Sequence, residues 1–354
     1  LAETWLEYRG GARARALIRE RGLDASSLAG IAGPASGPRW LVLYALDRLL
    51  IERGLPTAPR SGRPRLLVGA SAGAWRMLAL ASSRPRETLE ALMQGYARMV
   101  FPDKVSPQQV SAAYRELLGR LFADDAATML ARPEVELAIH AVRGRGAWPW
   151  RGKPGQGVAL GGAAIARIVG AGGVPWLERG LFRSGPADRS FDGRQHPLTA
   201  ENLVAAARAS GTVPFYMEPV EDIAGAPGLW FDGGLLDYHL RHAHLDGATA
   251  PDGVLLFPHF RREVLPVWFD RYWPNRQAGE DQLADVLQLY PSRAFVEGLP
   301  GGHIPDRDDF FRYADRPEER IRRWMEAVKL GERMAEQFAD DLDSGRLAER
   351  IQPL

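Results

Sequence analysis

The chain contains no cysteine, which excludes disulfides, thiolate metal sites and a cysteine nucleophile and leaves the compartment undecided. It also lacks an excess of either charge. Its 45 Lys and Arg stand against 44 Asp and Glu, a formal net charge of +1, so no global field draws it to nucleic acid or anionic lipid, although local patches can. Long apolar runs are missing as well. The most apolar stretch, residues 158–176 (VALGGAAIARIVGAGGVPW), is interrupted by Arg167 and by glycines and makes a poor membrane span. The first residues, LAETWLEYRGGARARALIRERG, lack the apolar core of a signal peptide. The expectation is a soluble, cytoplasmic protein that binds no nucleic acid, with peripheral membrane contact left open.

What is present is a globular composition: 354 residues, 45% of them hydrophobic, can bury a sizeable core. No repeat, low-complexity tract or long linker forces a boundary, so residues 1–354 read as one domain with a helical C-terminal segment over about 305–354. Residues 28–32 form a short apolar run, followed by the loop GPASGPR and the helix-length apolar segment WLVLYALDRLLIERG. Residues 66–68 and the helix after Ser71 repeat that unit, and two such units in succession predict a parallel sheet with helices on its faces, an α/β fold.

Further along, residues 85–131 read as largely helical, with Ser106-Pro107 as N-cap and first helical residue. Residues 135–142, 229–231 and 253–257 read as strands, 199–209 as a capped helix, and 318–342 as an amphipathic helix. The region 144–186 reads as loops with a short helix around 163–169.

Residues 66–74 read LLVGASAGA and place Ser71 between two glycines, where a strand gives way to a helix. That order suits a nucleophile elbow, a sharp turn that pushes a serine hydroxyl clear of the backbone while glycines relieve the crowding. A Gly-rich turn is the structural alternative. Residues 230–237 read WFDGGLLD, with Asp232 directly after an apolar strand; Asp-Gly is by itself a turn signal. Ligands of open parallel sheets bind beyond the carboxyl ends of strands, and Ser71, Asp232 and the loop Gly33 to Arg39 all fall at predicted strand ends.

GASAG at 69–73, DGG at 232–234 and the small-residue segment ARASGTVPFYMEPV at 207–220 occur in the order found in patatin-like phospholipases, and the chain resembles that family over about residues 28–257. The resemblance implies a mostly parallel central sheet flanked by helices, a three-layer sandwich. It implies a lipid acyl hydrolase acting on lipid or other acyl esters, with Ser71 as nucleophile, Asp232 as base, and no cofactor or metal. The first loop departs from the family's glycine run: Pro34 and Pro38 have no N–H to offer an oxyanion. The amides of Gly33, Ala35, Ser36, Gly37 and Ala72 are the candidate oxyanion donors, and Arg39 is the candidate for orienting the loop or meeting a head group. An unperturbed carboxylate is a weak base, so the dyad needs a dry pocket that raises the pKa of Asp232.

Two other readings stand beside this one. A Ser-His-Asp triad would draw on His259 or His303, which follow the acid in sequence; a non-catalytic protein of this fold could bind acylated ligands. His239, His242 and His244 resemble a metal cluster, but a solvated helix face explains them better because no carboxylate pattern accompanies them. The aromatic segment 268–273 (WFDRYW), Trp148 and Trp150 are candidates for lipid contact, and region 144–186 for a groove that accepts a long acyl chain.

Overall fold

The computed structural model describes residues 4–58, 63–102, 104–146, 152–168, 176–240, 253–273 and 275–354. Among them eleven strands form one sheet: β1 (Leu6–Gly10), β2 (Leu28–Gly33), β3 (Arg65–Ala70), β4 (Val135–Gly144), β5 (Leu177–Arg183), β6 (Arg194–Pro197), β7 (Val220–Ile223), β8 (Ala226–Asp232), β9 (Val254–Pro258), β10 (Val286–Pro291) and β11 (Gln352–Pro353). The order is β11-β1-β10-β9-β2-β3-β4-β5-β6, with β8 joined to β4 and β7 to β8. From β10 to β4 every neighbour is parallel. The margins are mixed: β1, β5 and β8 run antiparallel to β10, β4 and β4 respectively.

The central strands β2, β3, β9 and β10 are buried along their whole length, as near-continuous apolar runs in a two-sided parallel sheet must be. Alternation sorts their side chains. Leu67 of β3 and Val254 and Leu256 of β9 join the larger core. Leu66, Val68, Leu255 and Phe257 face the opposite side. Over the first face lie the helices Tyr44–Glu52, Ala72–Ala81, Pro85–Ala97, Pro107–Phe122, Leu203–Ser210 and Pro317–Asp343. The second face is covered by the helix Lys153–Ile168, through Ala159 and Ala163, and by segments around 260–283.

Several sequence expectations are sharpened. The segment 40–54 is not one helix: the turn Gly37–Leu43 is 3-10 and only Tyr44–Glu52 is α-helical. The N-cap at Ser106 holds, its hydroxyl accepting the Gln109 amide at 3.3 Å in a capping box. The helix expected around 163–169 begins ten residues earlier and runs Lys153–Ile168, and β5 follows it. The C-terminal segment is helical over Pro317–Asp343 and ends in β11. No helix among the described residues is long and apolar enough to cross a membrane.

One expectation about direction is corrected. Asp232 does not end a strand parallel to the others, because β8 runs against β4. Strand β3 pairs with β4 as far as His140, and β8 takes up the same flank of β4 from Ala141 onward, arriving from the opposite direction. The two strands therefore end facing each other at consecutive residues of β4.

Candidate active site

The facing ends of β3 and β8 bring Ser71 and Asp232 together. The Ser71 hydroxyl donates to Asp232 Oδ2 at 2.8 Å, and the Gly234 amide donates to Oδ1 at 2.7 Å. Ser71 has φ 55° and ψ −132°, a conformation close to glycine's preserve, and the helix Ala72–Ala81 starts at the next residue. The flanking glycines are required by close approach. A Cβ on Gly73 would lie 2.1 Å from the Gly33 carbonyl oxygen, and one on Gly69 would lie 2.5 Å from the Ala74 nitrogen. The strained turn is tied from beneath: the Ser71 amide donates to Ser210 Oγ at 2.8 Å, and Ser210 Oγ donates to the His140 carbonyl at 2.5 Å. The Asp232 amide in turn donates to the Thr212 carbonyl at 2.8 Å.

Asp232 is buried, and burial pushes its carboxyl up to about 6 despite the opposing hydrogen bonds from Ser71 and Gly234 and the positive charge of Arg307. A carboxylate with that value is ionised at neutral pH yet basic enough to accept a hydroxyl proton during attack.

Ser71 and Ala72 line a cavity of about 510 Å³. Its walls are mostly aromatic and aliphatic: Trp75, Tyr96, Phe101 and Tyr114 from one side, Phe215 to Met217 from a second, and Phe310, Phe311 and Tyr313 from a third. Among the described residues its cationic lining residues are Lys153, Arg307 and Arg320, and no Asp or Glu lines it. Arg320 is committed to the fold, donating to the carbonyls of Ala97 at 3.2 Å and Met99 at 2.5 Å.

The candidate oxyanion donors separate on inspection. Gly37 and Ala72 line the cavity and each opens a helix, so neither amide has an acceptor within its own helix. The amide of Ala35 is used instead, donating to the Tyr238 carbonyl at 2.9 Å. Gly33 lies inside β2 with its carbonyl against Gly73, and Ser36 is buried beside the turn; neither lines the cavity. Arg39 does not line it either. Its guanidinium is paired with Asp306 at 2.5 Å, which anchors the segment carrying Arg307 and Phe310 to the first loop.

The structure keeps the candidate histidines away from Ser71. His259 is buried against His239 and Phe260, and His303 lies 3.2 Å from Asp309; neither lines the cavity. His239 is not on a solvated helix face: it is buried, its Nδ1 accepts the Leu265 amide at 2.9 Å, and burial holds its pKa well below the usual value. His242 and His244 lie outside the described residues, as do Trp148 and Trp150. Among the described residues no group of three or more His, Asp or Glu could hold a metal ion. Of the described residues of 144–186 only Lys153 reaches the cavity, and among the described residues the segments 96–114, 211–217 and 307–320 form most of the walls. Sequence reasoning missed Ser210, although it lies in the small-residue segment already singled out, and missed the wall from 307 to 320 altogether.

Comparison with known proteins adds one match and one negative result. The family model described as patatin-like phospholipase matches residues 42–240, more than half of the chain. The search of curated proteins gives no match.

Proposed function

Because the chain belongs to the patatin-like phospholipase family, whose members are lipid acyl hydrolases, we propose that it cleaves long-chain acyl esters with Ser71 as nucleophile and Asp232 as general base. The observation that carries this reading is the 2.8 Å hydrogen bond to a buried carboxylate from the hydroxyl of Ser71, which itself lines an apolar cavity. Asp232 accepts the hydroxyl proton as Ser71 Oγ attacks the ester carbonyl. The amides of Gly37 and Ala72 hold the developing oxyanion, aided by the positive end of the helix Ala72–Ala81. Asp232 then returns the proton to the departing alcohol. Water, deprotonated by the same carboxylate, releases the fatty acid from the acyl-enzyme.

An organophosphonate probe tests the assignment. One adduct on Ser71, located by peptide mass spectrometry and absent from the Asp232→Asn protein, is the expected result. Adduct formation on another serine would overturn it. Among substrates, kcat/KM should climb with acyl length by up to about fourfold per methylene until the cavity is filled. A decline from acetyl esters onward would reassign the cavity to small esters.

A further inference from the structure

We propose that the mouth of the cavity docks on the surface of an anionic lipid layer, with Phe311, Tyr216 and Val100 entering the acyl boundary and Arg307 and Lys153 meeting lipid phosphates. The inference rests on the lipid-ester reading only for what enters the cavity; the surface itself is argued from its own residues.

Scattered exposed apolar side chains are ordinary on a protein surface, but convergence is not. Val100, Tyr216 and Phe311 are 52%, 40% and 60% exposed, and all three also line the cavity. They come from three separate segments: the chain after helix Pro85–Ala97, the turn after helix Leu203–Ser210, and the short helix Asp309–Arg312. The rings of Tyr216 and Phe311 touch, with centroids 5.9 Å apart. The turn that presents Tyr216 is held in an uncommon conformation. Phe215 has φ 70°, and its amide donates to Gln156 Oε1 at 2.8 Å.

Charge supplies the occupant. The Arg307 guanidinium lies 4.9 Å from the Tyr216 ring, its Nε is buried without a hydrogen-bond partner, and among the described residues no carboxylate pairs with it. Lys153 is exposed on the same rim. A rim of aromatic and aliphatic side chains with two cations that, among the described residues, have no ion pair and no acidic lining beside them is complementary to phosphates above acyl chains, and it surrounds an apolar cavity that continues inward from that surface.

The experiment uses the full-length Ser71→Ala protein and flotation with phosphatidylcholine vesicles, with or without about 30 mol% phosphatidylglycerol, a content chosen to give a strongly negative surface. Binding should be roughly 25-fold tighter to the anionic vesicles, about fivefold for each of the two cations, and should weaken with salt. Phe311→Asp combined with Val100→Asp should weaken it by at least about tenfold, and Arg307→Gln should reduce the anionic preference by about fivefold. Because the chain has no cysteine, Phe311→Cys can carry a polarity-sensitive dye, whose emission should shift to the blue on anionic vesicles. The same dye at Glu20→Cys, on the exposed helix before β2, should not shift. Equal flotation with both vesicle types, binding insensitive to the rim substitutions, or a silent dye at 311 overturns the proposal. Ester turnover by the unmodified protein is measured separately, so a failure of docking is distinguishable from a failure of the Ser71 assignment.

Discussion

Asp232 is the residue whose altered chemistry bears most directly on the proposed reaction. With its carboxyl pushed from an ordinary 3.8 up to about 6 by burial, the base is available only above that value, so kcat/KM should rise about tenfold per pH unit below it and level off above. A flat profile between pH 5 and 8 would remove Asp232 from the proton transfer. Stability carries the opposite sign. A folded-state pKa above the unfolded one means that the folded protein holds the proton more tightly, so the cost of the ionised carboxylate is absent below about 4, grows toward 6 and is complete above. Asp232→Asn should therefore gain Tm relative to the parent as pH rises through that window, while losing about 10²–10⁴-fold in kcat. Both residues of the pair were legible because their signals are local: a serine between glycines after one apolar run, an aspartate before glycines after another. The candidate oxyanion donors were less legible. Ala35 and Gly37 belong to the same short loop, and only the fold reveals that Tyr238 consumes the first amide while Gly37 borders the cavity.

At the scale of the element, the elbow depends on a side chain from another helix. Ser210 accepts the Ser71 amide and donates to the His140 carbonyl, so Ser210→Ala takes the acceptor from the buried Ser71 amide and one donor from the His140 carbonyl at a strained turn. A loss of about 1–3 kcal/mol in denaturant unfolding is expected, together with a fall in kcat larger than any rise in KM as the proposed nucleophile loses its fixed position. A variant with parental kcat would show that β3 and the helix hold Ser71 unaided. The elements were unevenly readable for a physical reason. Strands β2, β3 and β9 are buried on both faces and write continuous apolar runs, whereas β6 (RQHP) is polar and exists because β5 pairs with it. The reversal of β8 could not be read at all, since an apolar run has no direction until a neighbour supplies one.

The whole molecule spreads the site beyond the segment that defines the family. Residues 42–240 match the family model, yet β2, β9 and β10, the Gly37 amide and the wall from 307 to 320 lie outside them. A fragment of 42–240 would expose one long side of β3, which is buried on both faces in the intact sheet, and it should show no cooperative melt and should aggregate. A sharp thermal transition in that fragment would mean that the outer strands are dispensable. The C-terminal helix is part of the same economy of contacts, since Gln337 binds the backbone of Leu6 and Tyr8 donates to Asp341 at 2.8 Å, fastening the far end of the chain to its first strand. The facing ends of β3 and β8 also set a clock. The contact between Ser71 and Asp232 closes 161 residues of chain, a long loop whose entropy must be overcome before the carboxylate arrives. Until then Ser71 is a serine of ordinary reactivity. After a refolding jump, capture of an organophosphonate should lag behind the return of far-ultraviolet ellipticity, and the lag measures the time that β8 takes to find the vacant half of β4.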